Sequence, residues 1–352
     1  MTKINVRLGQ SYDIIIAPKA ITLLGEQTRL LLPEAATIAI ITDSNVGELY
    51  LSAVELSLSA VGFKCVSYCI TPGEASKSAS IYIDVLNWLA ASGLTRTDAV
   101  LALGGGVVGD LAGFAAATYQ RGVPFIQVPT SLLAMVDSSV GGKVAIDLDA
   151  GKNLAGAFHQ PTLVVCDTDT LNTLPQRFYN DGMAEVIKYG MLGNADFLNQ
   201  IVQLHEDKDY ETLISTCIKM KRDIVQNDEF DRGERRLLNF GHTIGHAIEK
   251  LSNYDISHGS AVAIGMIMMS RAAIRQGLCP PECLDVLLDL LSYFGLPTRA
   301  DYSAEAIYEA ALGDKKRGGE FITIIVPTSL GKCELRKISV GELRDWVEMG
   351  FE

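Results

Sequence analysis

Three of the five histidines in the 352-residue chain cluster late in the sequence, at His242, His246 and His258. His242 and His246 are one helical turn apart and would share one helix face. Grouped imidazoles suit a divalent metal, which would also take a carboxylate; a satisfied structural role for each ring is the competing reading. Glu185 is the candidate carboxylate, placed with Lys188 in the otherwise apolar run Gly182-Met183-Ala184-Glu185-Val186-Ile187-Lys188. Charges in such surroundings are paired or functional, unless the two form an ordinary exposed helix pair. Arg235 and Asn239 precede His242 at helical spacing and are expected on one side of the same helix, with Lys221 on the preceding helical stretch. His159 and His205 lack such company and read as structural or exposed.

A second kind of chemistry belongs to glycine. Gly104, Gly106 and Gly109 form a G-x-G-x-x-G set between an apolar strand and a helix, where backbone amides can approach a pyrophosphate. The set follows the third strand of the alternation and lacks the acidic residue expected about 20 positions later, so a tight packing turn remains the alternative. Asp43, ending a strand, could receive a ribose hydroxyl or simply cap a helix. Between 129 and 143 the chain places Thr130, Ser131, Asp137, Ser138, Ser139, Gly141 and Gly142 beside Lys143, and Gly151-Lys152-Asn153 follows. Lysines beside glycines and hydroxyls suit the capture of a phosphate or carboxylate; a solvated loop is the bland alternative. If Lys143, Lys152, Lys188, Lys221 and Arg235 converge, they suit a polyanionic small substrate.

These residues need elements to hold them. Short β-branched runs at 38–42, 65–70, 99–103, 125–129 and 163–166 alternate with helical stretches, which implies a parallel sheet flanked by helices. Beyond about residue 175 the pattern changes to amphipathic helices at 197–206, 210–227, 235–251 and 261–276. Runs at 321–326 and 333–336 then read as a hairpin or a returning strand pair. The N-terminus alternates like a strand and has no apolar signal core.

Composition narrows the function further. Against 30 basic residues stand 42 acidic ones, a net charge of −12 that repels nucleic acid and anionic lipid. No apolar run reaches the roughly 18 residues of a spanning helix. Seven scattered cysteines fit reduced, buried thiols in a cytoplasmic protein. The Cys65/Cys69 and Cys279/Cys283 pairs lack the second pair that a metal clip needs.

Seven motifs run through nearly the whole chain: GGGVVGD at 104–110, Tyr119-Gln120-Arg121-Gly122, PTSLLAMVDSSVGGK at 129–143, Gly151-Lys152-Asn153, GMAEVIKYG at 182–190, LLNFGHTIGHAIE at 237–249 and His258-Gly259. In this combination and order the sequence resembles the 3-dehydroquinate synthases, members of the sugar-phosphate cyclase superfamily. The resemblance implies an α/β, Rossmann-like N-terminal domain (1–177) that holds NAD. It implies a mainly α-helical C-terminal domain (178–352) with one divalent metal, zinc or cobalt, and an active site in the cleft between the two. It also implies a cytoplasmic homodimer acting on a phosphorylated sugar acid, 3-deoxy-D-arabino-heptulosonate 7-phosphate. Transient oxidation by NAD, phosphate elimination, re-reduction and aldol closure would give 3-dehydroquinate.

Carried over by motif position, Glu185, His242 and His258 would be the metal ligands. Lys152, Asn153, Arg235, Asn239 and Lys315 or Lys316 would hold the substrate's anionic groups, with Lys143, Lys188 and Lys221 in the same catalytic set. His246 would handle hydroxyl protons, and Arg121 would reach the neighbouring subunit's substrate. The cofactor set would comprise Asp43, Gly73, Glu74, Lys77, Gly105, Gly106, Val107, Gly109, Asp110, Thr130, Ser131, Asp137, Lys143, Lys152, Thr170, Leu171, Asn172 and Thr173. The chain departs from the family pattern at Thr71-Pro72, where an acidic residue is common before the glycine, and at Val144, where threonine is usual. An inosose or valiolone synthase, or a metal-dependent polyol dehydrogenase, is the alternative; the joint presence of Lys221, Arg235, Leu238, Asn239 and the run Asp314-Lys315-Lys316 favours the dehydroquinate synthases.

Overall fold

In the computed structural model, which describes residues 1–313 and 320–351, the chain divides into two compact units. The first comprises Met1–Pro175 with Ile214–Arg222, and the second Gln176–Leu213 with Asp223–Glu352.

The first unit is built on strands β1 (Thr2–Val6), β2 (Tyr12–Ala17), β3 (Thr37–Asp43), β4 (Lys64–Ile70), β5 (Ala99–Gly104), β6 (Phe125–Pro129), β7 (Lys143–Leu148), β8 (Gly151–Phe158) and β9 (Leu163–Asp167). Seven of them form one sheet in the order β1-β2-β9-β6-β5-β3-β4, in which only the β1–β2 pair is antiparallel. The period of two along a strand sends successive side chains to opposite faces. Ile38 and Ile40 of β3 join a core with Leu24, Val54 and Leu58 from helices α1 (Leu24–Leu31) and α2 (Ser44–Ser59). Ala39 and Ile41 join another with Val85, Leu89, Leu111 and Ala115 from α3 (Ala79–Ala91) and α4 (Gly106–Thr118). A sheet covered on both faces explains why its strands read as unbroken apolar runs. Strand β3 pairs with β4 on one side and β5 on the other, so the order reverses there. The carboxyl ends of β3 and β5, at Asp43 and Gly104, therefore flank the crevice where open α/β sheets bind ligands. Strands β7 and β8 form a separate antiparallel hairpin.

The second unit is helical: α5 (Gln176–Gly193), α6 (Ala195–Glu206), α7 (Tyr210–Asn227), α8 (His242–Leu251), α9 (His258–Arg275), α10 (Glu282–Tyr293), α11 (Ala304–Gly313) and α12 (Val340–Gly350), with an antiparallel hairpin of β10 (Phe321–Ser329) and β11 (Lys332–Ser339). The middle of α7, Ile214–Arg222, groups with the first unit. Ser339 and Glu342 form a capping box that starts α12. Among the described residues, no helix is long and apolar enough to cross a membrane.

Two expectations need correction. The helix expected over 235–251 is broken into a 3-10 turn, Glu234–Asn239, and α8, because Phe240 is extended (ψ 125°) and Gly241 is left-handed (φ 81°). Arg235 and Asn239 therefore do not share a helix with His242. The break is set by packing: a Cβ on Gly241 would lie 2.7 Å from the carbonyl oxygen of Val262 and 2.6 Å from Met266 Cγ, both on α9. Cys69, expected to be buried, is exposed, since β4 is an edge strand, whereas Cys279 and Cys283 are buried as expected.

Replacing Gly241 by alanine should cost the left-handed penalty of about 1–2 kcal/mol plus overpacking of about 1–3 kcal/mol. Gly62→Ala, at φ +86° with nothing within 4 Å of the place a methyl group would take, should cost only the first. Urea midpoints at unchanged slope measure both; equal losses would show that close approach to α9 is not what requires the glycine.

Candidate active site

Helix α5 carries Glu185 and Lys188 on its inner face, with side chains 0% and 1% exposed, so this is a buried ion pair and not a solvated one. Lys188 Nζ contacts Glu185 Oε2. The other carboxylate oxygen, Oε1, lies 3.6 Å from His242 Nε2 and 3.5 Å from His258 Nε2. The two histidines are the first residues of α8 and α9, so the packing of α5, α8 and α9 decides the geometry. Asp181, one turn before Glu185, accepts hydrogen bonds on Oδ1 from Ser257 Oγ (2.5 Å) and the Ser260 amide (3.2 Å), which ties the start of α9 to α5. Gly259 makes the approach possible, since a Cβ there would lie 2.3 Å from the Asp181 carbonyl oxygen.

Each imidazole is oriented through its other nitrogen. His242 Nδ1 is 3.1 Å from the Phe240 carbonyl, and His258 Nδ1 is 3.3 Å from Glu249 Oε2. In the neutral state that binds a metal, with Nδ1 donating on each ring, both Nε2 lone pairs would point with Glu185 Oε1 to one place, as three ligands of a single cation do. Ligands about 2.0–2.1 Å from a common ion at the tetrahedral angle stand roughly 3.3–3.4 Å apart, close to the spacing found. The set of two imidazoles and one carboxylate thus fits a divalent metal such as zinc.

The two rings differ in electrostatic setting. Burial, assisted by the Lys188 charge, pushes His242 down to about 3, so it is neutral as a ligand must be. Burial opposes a charge on His258 too, but the carboxylates of Glu185 and Glu249 outweigh it and push this group up to about 10. His246, on the face of α8 turned to solvent, keeps its ring 5.3 Å from that of His242 and 5.9 Å from that of His258.

The remaining residues of the second unit lie nearby in sequence. Arg235 is buried, its amide donating to Asp228 Oδ2 (3.1 Å) and its guanidinium to the Glu229 carbonyl. Asn239 is half-buried at the end of the 3-10 turn. Lys315 and its alternative Lys316 lie outside the described residues.

In the first unit a buried lysine gathers several of the residues that the resemblance assigns to the cofactor loop. Lys77 Nζ donates to Asp110 Oδ2 (2.9 Å) and Asn153 Oδ1 (2.6 Å) and lies 3.4 Å from Glu74 Oε1, which Lys152 also approaches at 3.6 Å. Asn153 is left-handed (φ 56°) and is held by its amide's bond to Asp147 Oδ1. Burial outweighs Lys77 and raises the Asp110 carboxyl to about 6. Gly73 (φ 111°) begins the turn that carries Glu74. Lys221 Nζ donates to the main-chain oxygen (2.5 Å) and carboxylate (2.9 Å) of Asp137, which docks the middle of α7 onto the first unit. Lys143 opens β7, exposed.

The glycine loop has the geometry expected of it. Gly105 is the extended N-cap of α4 and offers no side chain to the first-turn amides of Gly106, Val107 and Val108, with Gly109 inside the helix. A Cβ on Gly106 would stand 3.3 Å from Ser138 Oγ. Bare amides at a helix start beside a tight cradle fit a pyrophosphate. Thr130 donates its amide to the Gly104 carbonyl and Ser131 Oγ caps Ala134. Thr170, Leu171 and Asn172 form a 3-10 turn after β9, and the Thr173 hydroxyl meets Tyr50. Asp43 caps α2 through the Val46 amide, 3.0 Å away, and Arg121 is exposed at φ 68°. His159 bonds the Val123 carbonyl and His205 the Tyr179 hydroxyl, both structural.

Sequence reading missed Asp181 and Glu249. Asp181 precedes Glu185 by one helical turn, and Glu249 follows His242 by two, so each shares a face with a candidate ligand; that spacing was the available signal.

A parallel nucleotide-binding sheet joined to a helical unit with two histidines and one glutamate is the architecture of the sugar-phosphate cyclases. A 2-deoxy-scyllo-inosose synthase structure with carbaglucose-6-phosphate, NAD+ and Co2+ matches with TM-score 0.89 and 26% identity over 99% of this chain and 100% of that one. The 2-epi-5-epi-valiolone synthase of Streptomyces hygroscopicus, with NAD+ and Zn2+, matches with TM-score 0.86 and 25% identity over 99% and 98%. Within that class, sequence models for the 3-dehydroquinate synthase N-terminal and C-terminal regions match residues 67–181 and 182–317. The 3-dehydroquinate synthase of Streptococcus mutans is 43% identical over 98% of this chain and 99% of its own length. The chain belongs to the 3-dehydroquinate synthase family.

Because His258 carries a proton in the metal-free state, metal binding at pH 7 should release about one proton, and affinity should tighten about tenfold per pH unit below that group's pKa. Calorimetry in buffers of different ionisation enthalpy measures the release. A value near zero would show His258 already neutral.

Proposed function

We propose that the chain converts 3-deoxy-D-arabino-heptulosonate 7-phosphate to 3-dehydroquinate and phosphate, as a carbon–oxygen lyase using NAD and one divalent metal. The observation that carries this reading is the buried Glu185–His242–His258 set in a chain that matches the family over nearly its whole length. NAD+, when bound, supplies reversible hydride acceptance, so that no net redox change remains. The metal, when bound, acidifies a ligated hydroxyl and polarises the carbonyl derived from it.

The chain's own residues do the rest. Glu185, His242 and His258 hold the metal, and Lys188 fixes the carboxylate. Arg235 offers a planar fork suited to a carboxylate or phosphate, while Lys152, Asn153, Asn239 and Lys315 or Lys316 add point charges and amide donors. Lys143 and Lys221 belong to the same set. His246, one turn beyond a ligand and open to solvent, takes and returns hydroxyl protons. The proton lost in phosphate elimination goes to the departing phosphate, which the cationic groups hold in place. The glycine loop, Asp43, Gly73, Glu74, Lys77, Asp110, Thr130, Ser131, Asp137 and 170–173 make up the NAD site. The working form is a cytoplasmic homodimer in which Arg121 reaches the substrate phosphate of the neighbouring subunit.

Incubation with the heptulosonate phosphate and substoichiometric NAD+ should release phosphate and form dehydroquinate without a lasting rise in nicotinamide absorbance. Stoichiometric NADH would point to a dehydrogenase, and turnover of glucose 6-phosphate instead would point to an inosose synthase.

Chelation should abolish turnover, and Glu185→Ala, His242→Ala and His258→Ala should each lose metal. Retention of metal and activity in any one of them removes that residue from the site. For Arg121, mixing an Arg121→Ala chain with a His242→Ala chain should restore about a quarter of wild-type activity, since half of a random mixture is mixed dimer with one complete site. No recovery despite demonstrated subunit exchange would make Arg121 a surface or interface residue.

A further inference from the structure

Glu249 holds no role in the reading above, yet its carboxylate is buried, with its side chain 4% exposed, and lies 3.3 Å from His258 Nδ1. We propose that Glu249 is a positioning residue for the metal site: its carboxylate takes the Nδ1 proton of His258 in a hydrogen bond and thereby fixes the ring's orientation and tautomer, so that Nε2 faces Glu185. The inference rests on the assignment of Glu185, His242 and His258 as the metal-binding set.

Four observations carry it. The two nitrogens of His258 are engaged on opposite sides of the ring, Nε2 3.5 Å from Glu185 and Nδ1 3.3 Å from Glu249. Glu249 lies two turns beyond His242 on α8, so one face of one helix supplies a ligand and the group that aims a ligand of the next helix. The chain between them is closed onto the same residue: the Glu249 carbonyl accepts from the Tyr254 amide (2.8 Å) and Ser252 Oγ (2.9 Å), across a turn with Asn253 and Tyr254 left-handed. His242, by contrast, is aimed by the neutral carbonyl of Phe240. A carboxylate partner makes the imidazole a stronger donor than a carbonyl does, so His258 is the more basic ligand of the pair.

Glu249 also lies within ligand distance of His246 and His258 as a set of its own. In that arrangement His258 Nδ1 would have to bind metal as well as orient the ring. The positioning role uses each nitrogen once.

The test compares zinc affinity, by chelator competition, and the visible spectrum of the Co2+-loaded protein in wild type, Glu249→Gln and Glu249→Ala, with circular dichroism confirming the fold. The glutamine keeps the shape and one acceptor oxygen but not the charge. Expected are a 10–100-fold loss of zinc affinity and an altered Co2+ spectrum in Glu249→Ala, with Glu249→Gln between it and wild type. Wild-type affinity and spectrum in Glu249→Ala would overturn the assignment of Glu249 alone. A wild-type protein that binds no zinc would overturn the metal set and this inference with it. A second zinc equivalent, lost in Glu249→Gln, would make Glu249 a ligand and overturn the positioning role.

Discussion

Glu185 sits fully buried in the middle of α5, between Ala184 and Val186, and an ion removed from water there costs several kcal/mol unless its surroundings replace the hydration. The second unit is arranged around that compensation. Lys188 supplies a positive charge from the same helix, and His242 and His258 converge on the other oxygen from two further helices. A fold that only needed stability would do as well with apolar residues at these positions, because buried ion pairs give little net stabilisation. A cluster of buried ionisable groups is better understood as a site held ready for a cation.

Holding it ready demands short helix-to-helix distances. Gly241 and Gly259 permit α8 and α9 to approach their neighbours where a methyl group would collide with backbone, and Asp181 fastens the start of α9 to α5. The placement of the two histidines thus depends on residues outside the candidate ligand set. In the first unit Lys77 likewise ties separate elements together, joining Asp110 of α4 to Asn153 of β8.

Much of this was legible in the sequence where one element sufficed to decide it. Strands β3, β5 and β9 are covered on both faces and read as unbroken aliphatic runs, and the His242/His246 spacing needed only the helical period. What depended on a partner from elsewhere was not legible. A glycine in a periodic run is no signal of a break, and only the closeness of Val262 and Met266 makes Gly241 one. Glu249 lay in plain view within a recognised motif, but its role appears only once the turn at 252–257 brings His258 back beside it. Asp43 shows the converse: the sequence offered a cap and a ribose contact, and the structure makes the cap.

The composition of the metal shell can be read by X-ray absorption at the zinc edge of the loaded protein. Expected are two imidazole nitrogens at about 2.0–2.1 Å and carboxylate oxygen at about 2.0–2.2 Å, with the remaining scattering from exchangeable oxygen. A sulfur scatterer at about 2.3 Å, or a shell without imidazole, would contradict that expectation.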